Sequence, residues 1–303
     1  MNPKINDRIR LIGVAFDKGA GTPGVALGPA ALRYAGIVER LEKIGYKVED
    51  IGDLRNDDNL PKNDPELNLK NLNEVININE KLVKEVEGAI KDGAFPVVIG
   101  GDHSIAIGSI NGAMSKSSNI GLIWFDAHGD INTHETSPSG NIHGMPMSAL
   151  TGIGHPLLNN IGGPDRKLDP TKIALVGARD LDSGERKIFK EMGVTVFTMH
   201  EIDRYGIGKV TEEALKIVNN KTDGFYLSFD VDGVDPDLIQ GTGTRVPGGL
   251  NYREANYFME ILSKDERLLG LDLVEVNPIL DIRNTTAENA IIFLGSLMGE
   301  WLL

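Results

Sequence analysis

Five aspartates and two histidines fall in three short segments whose side chains could hold a pair of divalent metal ions. The segments are Gly100-Gly101-Asp102-His103, Asp126-Ala127-His128-Gly129-Asp130 and Phe229-Asp230-Val231-Asp232. Each follows an apolar, strand-like run. Asp126, His128 and Asp130 are spaced i, i+2, i+4, which in extended backbone puts all three on one side. Asp230 and Asp232 repeat that spacing. Carboxylates that follow Trp124, Phe125, Leu227 and Phe229 so closely are not expected to sit unpaired, because burying a lone charge is very costly. The four carboxylates of the second and third segments carry four negative charges, which two divalent ions would balance. The mixed oxygen and nitrogen donor set suits Mn²⁺ and could also take Co²⁺, Fe²⁺, Ni²⁺ or Zn²⁺. Mg²⁺ fits less well, since it prefers oxygen ligands. One Asp-x-His alone is often a cap or a surface turn; three such motifs at one edge of a sheet point to a site.

Composition narrows the setting. Hydrophobic residues make up 41% of the 303 and charged residues 25%, an ordinary globular balance with enough chain for a large core. The absence of cysteine excludes disulfides and thiolate metal sites and fits a cytoplasmic location. The formal charge of −13 argues against nucleic acid as a partner. An acidic surface keeps a protein soluble and could also attract a cationic substrate. No apolar stretch approaches the roughly 20 residues of a membrane helix, and Met1 to Asp7 lacks the apolar core of a signal peptide.

The candidate ligands need a scaffold that gathers distant segments. Arg8 to Phe16 reads as a buried strand, and Pro29 suits the first turn of a helix running to about Gly45. Tyr46 to Asp53 reads as a second strand and the polar stretch from Asp53 to Lys70 as a loop. Apolar residues at Leu72, Val75, Ile76, Leu82, Val83, Val86 and Ile90 have helical spacing, closed by Gly93. Further strands are expected at Phe95 to Ile99, Ile120 to Phe125, Ile173 to Val176, Val194 to Phe197, Phe225 to Phe229 and Leu269 to Val276. Further helices are expected around Ser104 to Ser115, Ser183 to Met192, Val210 to Asn219, Tyr252 to Ser263 and Thr286 to Leu302. About eight near-continuous apolar strands with helices between them imply the α/β class, a three-layer αβα arrangement around a central, mostly parallel sheet. With no internal repeat or linker, residues 1–303 read as a single domain. In such sheets ligands bind beyond the carboxyl ends of the strands, where Asp102-His103, Asp126, Asp230 and Glu275 all fall.

The motifs together resemble the ureohydrolase family, most closely its arginase branch. The resemblance rests on Gly100-Gly101-Asp102-His103-Ser104, on Asp126 to Asn132, on Ser139-Gly140-Asn141-Ile142-His143-Gly144 and on Ser228-Phe229-Asp230-Val231-Asp232. It extends from Gly24–Arg33 to Val274-Glu275-Val276-Asn277-Pro278, nearly the whole chain. It implies that His103, Asp126, Asp130 and Asp230 hold one Mn²⁺ and that Asp126, His128, Asp230 and Asp232 hold the other, with Asp126 and Asp230 bridging and Asp102 not a ligand. It implies a nucleophilic hydroxide between the ions, with Asp130 accepting a hydrogen bond from it. Glu275 would pair with the substrate guanidinium, for which a planar, two-oxygen acceptor is suited. His143 would shuttle the proton for the leaving amine, a task for an imidazole that titrates near neutrality.

The same resemblance assigns Asn132, Ser137, Ser139 and Asn141 to a substrate α-carboxylate, Asp182 to its amine, Asp180 to a helper role and Thr244 to the guanidinium end. Ser and Asn are also common turn residues, but the Ser139-x-Asn141 pair is the best reason to expect L-arginine, cleaved to L-ornithine and urea. Agmatine, guanidinobutyrate and formiminoglutamate are the rival substrates; a non-catalytic arginine- or metal-binding regulator and a metal-dependent deacetylase are the rival classes. Arg245, the following Pro247-Gly248-Gly249, and His134-Glu135 depart from the arginase pattern, so they bear on fine specificity. Tyr252-Arg253-Glu254 resembles a subunit-contact segment, which implies a homo-oligomer, a trimer or hexamer.

Overall fold

The strands form where the chain is apolar on both faces, as a sheet covered from two sides demands. Phe95–Ile99, Gly121–Phe125 and Ile173–Ala178 are buried at every position. The structure, a computed structural model, describes residues 7–300. Its strands are β1 Arg8–Val14, β2 Lys47–Leu54, β3 Phe95–Ile99, β4 Gly121–Phe125, β5 Ile173–Ala178, β6 Thr195–Thr198, β7 Phe225–Asp230 and β8 Leu268–Val274. They make one sheet in the order β2-β1-β3-β8-β7-β4-β5-β6. Every neighbouring pair is parallel, so the expected mostly parallel sheet is parallel throughout the described residues.

The alternation of side chains builds a core on each face. Along β4, Ile123 and Phe125 enter one core with Phe229, Phe258 and Phe293. Leu122 and Trp124 enter the other with Val98, Leu175 and Tyr226. Helices Gly28–Tyr34, Ile37–Ile44, Ile207–Val218, Tyr252–Leu262 and Thr285–Leu297 cover the first face, and Leu72–Lys91, Ala106–Ala113, Pro146–Thr151 and Ser183–Met192 cover the second. The result is the three-layer αβα arrangement. Among the described residues, no helix is long and apolar enough to cross a membrane.

Several boundaries differ from the sequence expectation, each for a local reason. The helix expected from Pro29 to Gly45 is two, because Gly36 adopts φ 91 between Tyr34 and Ile37. The helix expected from Ser104 opens as a 3₁₀ turn, His103–Ile105, before Ala106–Ala113. Short helices at Pro146–Thr151, Pro156–Asn159 and Met199–Tyr205 lack the long apolar period that would announce them. The last strand ends at Val274, and Glu275 turns away at φ 64. The Met1 to Asn6 part of the segment read for a signal peptide, and the helix end expected at Leu302, lie outside the described residues.

Candidate metal centre and active site

The candidate ligands leave the carboxyl ends of β3, β8, β7 and β4, four strands adjacent at the centre of the sheet. After β3, Gly101 passes so close to β1 that a methyl group there would meet the Phe16 carbonyl oxygen at 2.2 Å. Asp102 then caps the turn that follows: its Oδ1 accepts from Ser104 N at 3.0 Å and its Oδ2 from Gly19 N at 2.8 Å. Those bonds occupy Asp102 structurally and aim His103 at the site.

The period-of-two expectation for Asp126, His128 and Asp130 holds in outcome but not in mechanism. The strand ends at Phe125, and Asp130 adopts φ 48, a left-handed conformation that non-glycine residues rarely take. The convergence comes from a tight turn. Likewise Asp230 is the last residue of β7, while Asp232 lies in the 3₁₀ turn Val231–Gly233, with its N–H donating to Asp230 Oδ1 at 2.8 Å.

Two ligand groups result. His103, Asp126 and Asp230 present donor atoms within 4.8 Å of one another, and so do Asp126, His128 and Asp232, with Asp126 common to both. Asp130 joins the first: His103 Nδ1 lies 3.0 Å from Asp126 Oδ2, 3.0 Å from Asp130 Oδ2 and 3.2 Å from Asp230 Oδ2. Yet that nitrogen is buried and meets none of them at hydrogen-bond geometry, the arrangement expected of a lone pair directed between the oxygens at a cation. In the second group His128 Nδ1 lies 3.1 Å from Asp232 Oδ2 and 3.4 Å from Asp126 Oδ1. The donor set therefore fits divalent ions bound through imidazole and carboxylate.

The electrostatics agree. Burial disfavours charge on His103, but Asp126, Asp130 and Asp230 outweigh it and hold the ring pKa well above its usual value. His128 is raised in the same way against burial, by Asp232 and Asp126. Burial, then the Asp126 charge, pushes Asp130 up to about 6, and burial with Asp232 and Asp126 raises Asp230 further. Asp126 moves the other way: both histidines together overcome its burial and keep it ionised.

A second layer fixes the rings. His103 Nε2 meets Ser228 Oγ at 2.8 Å, and that hydroxyl donates to Asp272 Oδ1 at 2.5 Å. Trp124 stacks on His103, with centroids 4.0 Å apart, and donates from Nε1 to Asp126 Oδ2 at 2.9 Å. Such outer partners set the tautomer and orientation of a metal-binding imidazole. Sequence reasoning did not single out Asp272 or Ser228 for this task, because a lone Asp in an apolar strand gives no indication of the partner it will meet.

The substrate candidates surround one cleft. Asn132, Ser137, Ser139, Asn141, His143, Asp180, Asp182 and Thr244 line it together with His128, Asp130 and Asp230. Asn132 Nδ2 donates to Asp182 Oδ2 at 2.8 Å, and Thr244 Oγ1 donates to Asp232 Oδ2 at 2.9 Å. Asn68, in the polar loop before helix Leu72–Lys91, clasps the 133–140 segment through bonds of 2.9 Å to the carbonyls of His134 and Ser137. Glu275 is 2% exposed; its Oε1 accepts from His103 N at 2.9 Å and faces His143 Nδ1 at 3.2 Å. Burial opposes charge on His143, but Glu275, Asp130 and Asp102 prevail and push its pKa up to about 9.

Glu185 was missed and also lines the cleft. It is paired reciprocally with Asp182 in a capping box, and burial, reinforced by Asp130, pushes its pKa up to about 8. The Asp-x-x-Glu spacing was the available signal. His134 packs edge-on against His155, Glu135 and Arg245 are exposed, and Asn251 with Glu254 caps the helix that carries Tyr252.

The Arginase family profile matches residues 7–299. Arginase of Bacillus subtilis (strain 168) is 50% identical over 295 residues, 97% of this chain and 99% of that protein. The solved structure of arginase from Bacillus caldovelox superposes with a TM-score of 0.94 at 48% identity, covering 98% of this chain and 99% of its own. Arginase from Entamoeba histolytica, solved in complex with L-ornithine, gives 0.89 at 34% identity, with coverage of 97% and 99%. On that agreement along nearly its whole length, the chain belongs to the arginase family and is an enzyme of that family.

Proposed function

We propose that this enzyme hydrolyses L-arginine to L-ornithine and urea at two manganese ions. The observation that carries the proposal is that the cleft lined by His128, Asp130, Asp230, His143 and the Asn132–Asn141 loop also joins two candidate ligand groups sharing Asp126 and, through His143, the buried Glu275. Relatives named arginase at 45–50% identity, and the L-ornithine complex of the arginase that is 34% identical, favour the same substrate.

His103, Asp126, Asp130 and Asp230 would hold one ion, and Asp126, His128, Asp230 and Asp232 the other. When bound, such a pair supplies a water that ionises near neutral pH and a charge clamp for the reacting carbon. Asp130 orients the attacking water by accepting its hydrogen bond. Glu275 orients the guanidinium and holds His143 in place. His143, charged beside that carboxylate, donates a proton to the departing side-chain nitrogen. The water oxygen ends in urea as the bond from the guanidinium carbon to that nitrogen breaks. Ser137, Ser139, Asn141 and Asn132 grip the α-carboxylate, and Asp182 reads the α-amine. A site built for a carboxylate disfavours agmatine, because buried donors then lose a partner.

The protein would act in the cytoplasm as a single-domain subunit of a homo-oligomer, a trimer or hexamer, with the Tyr252-Arg253-Glu254 segment at the contact. The test of the reaction is turnover in ¹⁸O-enriched water. Ornithine and urea in equal amounts, with label in the urea, are expected; no ornithine, or unlabelled urea, would overturn the proposal.

A further inference from the structure

Arg179 has no assigned part in the chemistry, yet its contacts gather the segments of one metal group. It follows β5 and its side chain is largely withdrawn from solvent. The guanidinium donates from Nη2 to the carbonyls of Asp232 at 2.6 Å and Val246 at 2.8 Å, from Nη1 to Gly233 at 3.0 Å and from Nε to Val246 at 3.0 Å. Its backbone N–H donates to the Ala127 carbonyl at 2.9 Å. Ala127 lies between Asp126 and His128, and its own N–H donates to Asp232 Oδ1 at 3.2 Å. Two residues before Val246, Thr244 donates to the other Asp232 oxygen. No carboxylate among the described residues accepts directly from the Arg179 side chain; every acceptor is backbone.

We propose that Arg179 is a positioning residue that fixes the Asp126–His128–Asp232 half of the metal centre and ties it to the Thr244 loop. The inference rests on the two-ion hydrolase proposed above. Its physical basis is shape: a planar fork with five N–H donors serves the carbonyls of the Asp232–Gly233 and Val246 segments at once. Lysine keeps the charge but offers a single ammonium and cannot span them. Asp235 anchors the far side of the same loop, its Oδ2 accepting from Gly248 N at 2.8 Å and Gly249 N at 3.0 Å. Among the described residues the Arg179 guanidinium makes no hydrogen bond to His103, Asp130 or Asp230, so the two halves should respond differently.

The experiment is a titration of metal-free protein with Mn²⁺, counting ions bound per subunit, for the wild type, Arg179→Lys and Asp235→Asn. The wild type should bind two ions. Arg179→Lys should keep the ion of the His103 group and bind the other about 10- to 100-fold more weakly, the range for lost outer partners of a metal ligand. Its kcat should fall at limiting Mn²⁺ and recover with excess metal, a rescue that a general folding defect would not give. Asp235→Asn, which touches neither ligand group, should weaken the same ion by a smaller factor; it decides the matter if Arg179→Lys fails to fold. Wild-type affinity for both ions in the variants, or equal weakening of both, would overturn the role of Arg179 while leaving the hydrolase intact. A wild type that binds no ion pair would overturn both.

Discussion

Glu275 and His143 meet at 3.2 Å, carboxylate oxygen to ring Nδ1, although they lie on separate segments. The left-handed turn at Glu275 makes this possible, by swinging the side chain out of β8 and toward the loop that carries His143. The pair couples the group proposed to orient the guanidinium to the group proposed to move a proton. Glu275→Gln keeps the shape and removes the charge. We expect kcat/KM for arginine to fall by at least about 100-fold, in the range of lost general acid–base groups. The sign of the pH effect follows from the same contact. Glu275 stabilises the protonated ring and raises its pKa to about 9, so its removal lowers that pKa. The alkaline limb of the kcat/KM profile should move to lower pH; a limb that stays in place would break the link.

Metal binding should release protons. In the metal-free protein the surrounding carboxylates keep His103 and His128 protonated well above the usual pH, and Asp130 retains a proton below about 6. Ligation needs neutral imidazoles and ionised carboxylates. Mn²⁺ affinity should therefore rise from pH 6 to pH 8. Calorimetry in two buffers of different ionisation enthalpy measures the released protons; identical heats would contradict the assignment.

His128→Ala and Asp232→Ala each remove a donor from the group that shares Asp126. Each should lose one ion and most activity while the other ion stays bound. Metal analysis of the purified variants checks this, and full occupancy with full turnover would rule these residues out as ligands.

Most of the fold could be read from the chain because the central strands β3, β4 and β7 are apolar at consecutive positions, and all eight were anticipated. The candidate ligands stood out because Asp and His recur at short spacing just after apolar strands, and the structure brings them together. What could not be read was how they converge: Asp130 and Glu275 reach the site through left-handed backbone, which no side-chain period encodes. Gly36 divides a helix whose apolar period continues across it. Asp272 and Arg179 act through partners far away in sequence, so only the packed structure brings them forward.

Gly101 shows how tightly the site is set into the sheet. A methyl group there would meet the carbonyl oxygens of Phe16 at 2.2 Å and Val14 at 3.0 Å, both backbone atoms. Gly101→Ala should destabilise the protein by about 1–3 kcal/mol, the cost of overpacking. Urea denaturation should show a lower midpoint at an unchanged slope; an unaltered midpoint would mean that β1 yields freely.

Asn141 tests the substrate end. It lines the cleft and its side chain makes no hydrogen bond among the described residues. Asn141→Ala should cut kcat/KM for arginine by about 10-fold, the value of a lost bond to a charged group, and leave agmatine turnover nearly unchanged. An equal loss on both compounds would remove Asn141 from carboxylate recognition.

The most direct measurement is urea release by the Mn²⁺-loaded enzyme with L-arginine and agmatine side by side. Urea is expected from arginine, with agmatine poorer by orders of magnitude. Urea mainly from agmatine, or from neither, would contradict the proposed reaction.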